Sequence, residues 1–214
     1  MRLDHVSYVA SHDQISDVVN RIGSQIGTAF VDGGIHPKFG TRNFTAPLLN
    51  GQYIEVVCPM DHPSTDVNPF GQAVKKKAES GGGWLTWVFN SVNLNQVEEK
   101  YAIKAVDGYR TKPDGSKLKW KQIGVSSMLY DPELPYYIKW ESLNHPSQDG
   151  VANAEIHTIT LSGDGSKLVN MPGVQELMDK RILIFTDSNI EFRNIQYGIT
   201  SIEFITKNKK ISIN

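Results

Sequence analysis

Cysteine is almost absent from this chain: Cys58 is the only one in 214 residues. An internal disulfide is therefore impossible and a cluster of thiolate ligands is excluded, which suits a reducing cytoplasm. No stretch approaches the roughly 20 apolar residues that a membrane helix needs. The opening "MRLDHVSYVAS" lacks the apolar core of a signal peptide, so a soluble, unexported, cytoplasmic protein is expected. Long runs of one charge are missing too. With a formal net charge of -1, and Lys75 to Lys77 as a mere triplet, the sequence offers no electrostatic footprint for a nucleic acid or an anionic membrane. Phosphate loops and nucleophile elbows are likewise lacking. The glycines at 81 to 83 are not followed by Lys-Ser/Thr, and Cys58 ends an apolar strand without a neighbouring base, as an inert buried thiol would.

What is present is the composition of an ordinary globular protein, 39% hydrophobic and 21% charged, long enough to bury a real core. Leu3 to Ala10 reads as a strand. Ile15, Val18, Val19, Ile22 and Ile26 then recur at helical spacing, with Ser11 or Asp13 as the expected cap and Gly27 as the stop. Strands follow at Phe30 to His36, Arg42 to Leu49 and Gln52 to Cys58. A second pass begins at "GGGWLTWVFN" and continues through "LNQVEEKYAIKA" and a hairpin turn at Asp114-Gly115. Strands are expected next at Lys117 to Ile123, Ser126 to Leu129 and Tyr136 to Trp140. A third runs from "AEIHTITLSG" through a helix at Gly173 to Lys180 and the strands "RILIFTD", "YGITSIEFITK" and "KKISI". The plan is α+β, three repeats of βαβββ, with breaks at Asp61 to Ser80 and Asn144 to Asn153. It divides into residues 1-150, holding two modules, and 151-214, a third βαβββ-like module.

Asn50-Gly51 between two apolar runs is a hairpin signal of type I′, because both central residues need positive φ. If Leu49 pairs with Gln52, then Ala46 faces Glu55 and Phe44 faces Val57, with Arg42 at the far end of the same face. Pro47 offers the alternative of a bulge that slips this pairing by one residue. Period two sets His5 beside Leu3, Ser7 and Val9. A His and a Glu on neighbouring strands are two of the donors that a divalent metal takes. The other reading is structural, with His5 hydrogen-bonded at a strand end and Glu55 paired with Arg42.

A repeated βαβββ module with "LDHV" opening its first strand and "YIEVV" closing its fourth resembles the vicinal oxygen chelate superfamily, more narrowly its glyoxalase-like branch. "HPKFGTRNFTAPLLNGQYIEVV" and "LPYYIKWESLNHP" are similar to that branch's two module endings, and the likeness covers residues 3 to about 180. The resemblance implies a cup-shaped mixed sheet built from two modules. Within it one divalent metal, Zn, Ni, Mn or Fe, would be held by His5 and Glu55, with Glu55 as ligand or catalytic base. The second module departs from this pattern: Leu85 aligns with His5, and Lys139 aligns with Glu55, with Glu141 two residues on. His36, His145 and His157 are candidate substitutes.

Arg42 and Asn43 are candidates for an anionic or carbonyl-bearing ligand. Lys139 is a positive charge where an acid would hold metal, and Trp140, with Trp84, Trp87 and Trp120, is pocket lining if the cup is open. His36, Arg42, Asn43, Lys139, Trp140 and His145 thus form the expected ligand-binding set. Two functions stand side by side: a metal-dependent lyase, isomerase or dioxygenase acting on a small molecule, and a metal-free protein that binds or sequesters one. The third module, holding only half the sheet its relatives use, is expected to pair with its counterpart in a homodimer.

Overall fold

In a computed structural model that describes residues 1-163, 165-186 and 197-214, the first two passes of the sequence curl into one barrel. The first half contributes β1 (Arg2–Val9), α1 (Ile15–Ile26), β2 (Val31–His36), β3 (Thr41–Leu48) and β4 (Gln52–Pro59). After α2 (Pro63–Val67) and α3 (Pro69–Glu79), the second half contributes β5 (Gly83–Asn90), α4 (Asn95–Tyr101), β6 (Val106–Thr111), β7 (Lys117–Ile123), α5 (Val125–Tyr130) and β8 (Tyr136–Trp140). Around the barrel the order is β1-β4-β3-β2-β6-β7-β8-β5. In each half the first and fourth strands run parallel, and β1 and β5 run antiparallel along a long ladder. The opposite side closes through a single pair among the described residues, Ile35 with Thr111.

Alternation, interrupted by two irregularities where β1 pairs with β5, divides the strands. Ala46, Leu48, Ile54, Val56 and Cys58 face outward into one apolar cluster, and Val9, Val57, Leu85, Val88 and Ile138 face inward into another. Phe70, Ala73 and Val74 of α3 join the inner cluster with Val125 and Met128 of α5, so these helices close one end of the barrel.

The third pass supplies β9 (Ala154–Ser162), α6 (Val174–Asp179), β10 (Leu183–Thr186), β11 (Gly198–Thr206) and β12 (Lys210–Ile213); Asp187, the end of the expected strand, lies outside the described residues. Its elements follow the βαβββ order, but its sheet is β10-β9-β11-β12, with the first strand in the middle rather than at one edge. Ile159, Leu161, Ile202 and Phe204 bury against α1 and the outer face of the barrel, and Trp84 Nε1 donates to Ile213 O at 2.8 Å.

Three local readings are corrected. The stretch Asp61 to Ser80, expected as a break, folds as α2 and α3, because each has a capping side chain followed by proline. His62 Nδ1 accepts from Ser64 N and Asn68 Oδ1 from Phe70 N, and proline loses nothing in a first turn. Ser126 to Leu129 is helical rather than extended: Gly124 turns the chain at φ 97°, and Val125 and Met128 then bury one helical face. In α1, Gln14 takes the cap position without a side-chain bond, while Gly27 ends the helix at φ 69° as expected.

Candidate functional site

Asn50 and Gly51 do have positive φ, 62° and 68°, but they belong to a helical turn of Leu49–Gly51 rather than a two-residue loop. The extra residue slips the hairpin by one: Leu48 pairs with Gln52, Thr45 with Glu55 and Asn43 with Val57. Glu55 therefore shares the inner face with Asn43 and Thr45, and Arg42 goes outside. The Arg42 side chain is 39% exposed and its guanidinium pairs with Asp32, so it does not reach the interior.

On β1 the ladder to β5 is interrupted between Leu3 and His5, a bulge at Asp4. It turns Leu3 outward with Val6 and Tyr8, correcting the expected sharing of a face, and keeps His5, Ser7 and Val9 inside. Asp4 is fully buried at the bulge. Around it are His5 Nδ1 at 3.1 Å, His145 Nε2 at 3.1 Å, Asn90 Nδ2 at 3.1 Å, Trp140 Nε1 at 3.2 Å and Arg2 Nη2 at 3.3 Å. Burial works to raise this carboxyl, but the bonds and charges of His145 and His5 outweigh it and hold Asp4 far below the usual range. Because a carboxylate only accepts, His5 donates through Nδ1, leaving Nε2 facing the Tyr136 hydroxyl at 3.4 Å.

Glu55 accepts from Ser7 Oγ at 2.6 Å and from Asn43 Nδ2 at 2.7 Å. Burial alone would raise its pKa. The neighbouring imidazoles of His36 and His5 and these two bonds bring it below the ordinary glutamate value instead, so Glu55 is ionised at neutral pH. Asn43 passes the polarity on, since its Oδ1 accepts from Arg110 Nη1 at 3.1 Å. His36 bonds Thr41 Oγ1 at 2.9 Å, and burial drives it down to about 4, so it is neutral. Aromatic rings surround these groups: Tyr53 stacks on His5 at 4.4 Å between centroids, and Trp120 stands edge-on to His36 at 5.8 Å. The void between them measures about 20 Å³, room for about one water molecule. Its lining is buried except for Trp140, which is half-buried and marks the mouth.

The structure thus gathers His5, His36, Asn43, Glu55 and Trp140 in one interior and hangs His145 behind them on Asp4. It leaves out Lys139, which is exposed on the outer face opposite Lys121. The alignment is one residue off: Tyr136 and Ile138 stand in β8 as Tyr53 and Glu55 do in β4, all four lining the void, so the counterpart of Glu55 is Ile138. His157 is exposed on β9. Asp4, Ser7, Tyr136 and Arg110 were missed. A signal for Arg110 existed, because the Asp114-Gly115 turn followed outward pairs Arg110 with Leu118 on the dry face of β7.

A divalent metal fits this interior poorly. His5, oriented by Asp4, has the posture of a ligand, but both Glu55 oxygens are engaged by Ser7 and Asn43, and the second half offers Leu85, Val88 and Ile138. Among the described residues no three of His, Cys, Asp and Glu converge on one point, and the Arg110 guanidinium lies in the same lining.

Paired βαβββ halves around a shared interior define the vicinal oxygen chelate class. Residues 3–169 match the family model described as a glyoxalase-like domain, and the chain belongs to that family. Among solved structures, a hypothetical protein from Staphylococcus aureus is similar over 98% of this chain and 83% of its own, at 17% identity and a TM-score of 0.53, a likeness of fold that runs through the C-terminal sheet. Methylmalonyl-CoA epimerases are more distant. The one from Mycobacterium tuberculosis matches 64% of this chain and 86% of its own at 13% identity and TM-score 0.44. A Streptomyces coelicolor enzyme matches 66% of this chain and 99% of its own at 13% identity and 0.43. No curated protein matches the sequence.

Proposed function

We propose that the protein binds a small organic molecule in the barrel interior without the help of a metal ion. One observation carries this reading: the inner-face positions that answer His5 and Glu55 in the second half are the apolar Val88 and Ile138, and Ile138 lines the void among the rings of Trp120, Tyr136 and Trp140, so His5, Asn43 and Glu55 face a surface that suits a hydrocarbon or aromatic body. Tyr53, Tyr136 and Trp120 give flat faces for stacking. The metal-dependent alternative requires donors that this interior does not bring together.

Equilibrium dialysis against Zn, Ni, Mn and Fe(II) separates the two. The wild type and Glu55→Gln are expected to retain equally little metal. One equivalent held by the wild type and lost in both His5→Ala and Glu55→Gln would overturn the proposal.

A further inference from the structure

Arg110 is the largest charged side chain in the interior and is only 2% exposed. Its guanidinium has two edges. Nη1 is engaged by Asn43 Oδ1 at 3.1 Å, but Nε and Nη2, which together form the other edge, have no hydrogen-bond partner among the described residues. A buried donor left unmatched costs about 1-3 kcal/mol, and more when it is charged. A fold that buries two of them side by side, on a residue that lines the void, holds a planar two-pronged donor that no described residue satisfies.

The surroundings keep that edge in place. A Cβ on Gly33 would overlap Asn43 Oδ1 and Arg110 Nη1, so glycine there is what lets the Asn43 amide and the guanidinium meet. Glu55 does not neutralise Arg110 directly: both its oxygens are taken by Ser7 and Asn43, and the amide stands between the two charges.

We infer that the interior recognises a small monocarboxylic acid, whose carboxylate forms two parallel bonds to Arg110 Nε and Nη2. This rests on the interior-binding reading above and names its ligand class. The fork geometry matches a carboxylate's two oxygens. The negative charge of Glu55 one residue away disfavours a dianion such as phosphate. The void of about 20 Å³ takes little more than the carboxylate group itself, so the acid is small, with its body beside Ile138 and Trp120 and directed to the mouth at the half-buried Trp140.

The test is a titration of the wild type with acetate, pyruvate, benzoate and phenylacetate, with the matching amides acetamide, benzamide and phenylacetamide, and with inorganic phosphate, read by tryptophan fluorescence and melting temperature. At least one acid is expected to bind saturably and its amide at least roughly tenfold more weakly. Arg110→Lys should lose about the same factor and Arg110→Gln the whole preference for acid over amide. Lys139→Gln, a change on the outer face, should match the wild type. Should the Arg110 variants fail to fold, the Nε–H resonance of Arg110 in the wild type decides instead: it should move in step with the fluorescence change. Acids and amides binding alike, or phosphate binding best, or an unmoved Nε–H resonance, would overturn the carboxylate assignment while leaving interior binding intact. Absence of binding by every probe, together with a stoichiometric metal in the dialysis experiment, would overturn the underlying reading itself.

Discussion

His36 shows how burial converts a side chain into a dependence of stability on pH. Its pKa is about 4 in the folded protein against 6.5 for an unperturbed histidine. As pH falls from 6.5 towards 4, the unfolded chain takes up a proton that the folded chain refuses, so stability declines over that window by up to about 1.4 kcal/mol per pH unit. Glu55 acts lower down: its folded pKa lies below 4.5, so its contribution is present above that value and lost as pH falls through the folded pKa. Urea melts of His36→Gln between pH 7 and 5 should therefore be flatter with pH than those of the wild type. An equal slope would mean that His36 is not held neutral. At this scale the sequence was half legible. Residue type picked out His5, Glu55, His36 and Asn43, while period set Asn43 on the face away from Glu55 and alignment set Lys139 beside the site. They failed for Arg42 and Lys139, because a one-residue slip in a strand exchanges inside for outside and neither slip is encoded in the strand itself.

Among the elements, β2 carries the tightest constraint. Gly34 sits at φ 97°, and a Cβ there would run into Thr111 O, the strand across the closing seam. Gly34→Ala should cost at least about 2 kcal/mol, from the left-handed backbone and the collision together. A urea midpoint unchanged from wild type would show that the seam yields without penalty. The elements themselves were mostly foreseen, since hydrophobic period and turn chemistry mark strands and α1 directly. The misses were α2, α3, α5 and β6. In the first two, the Pro and Asn that look like loop residues are the starting signals of helices, and α5 is too short for its period to declare itself.

For the molecule as a whole, the C-terminal sheet is continuous with the barrel's outer core rather than an ornament on it. Phe204 is fully buried in the cluster that also holds Trp84, Trp87 and α1. Phe204→Ala should cost about 3-5 kcal/mol and lower the single melting transition of barrel and sheet together. Two separate transitions would show that the sheet unfolds on its own. The order of its elements was readable from the repeat, but its strand order was not, because which edge a strand joins is decided by what it packs on rather than by its own residues.

The barrel's two closures are unequal, a long ladder where β1 meets β5 and, among the described residues, one bridge where β2 meets β6. It is built like a book, with a spine and a fore-edge. Backbone amides at Ile35 and Thr111 should exchange with deuterium well before those of Val6 and Val88, and Arg110 stands next to Thr111 at that edge. The lifetime of anything held by Arg110 would then be set by how often the fore-edge parts, not by how often the protein unfolds.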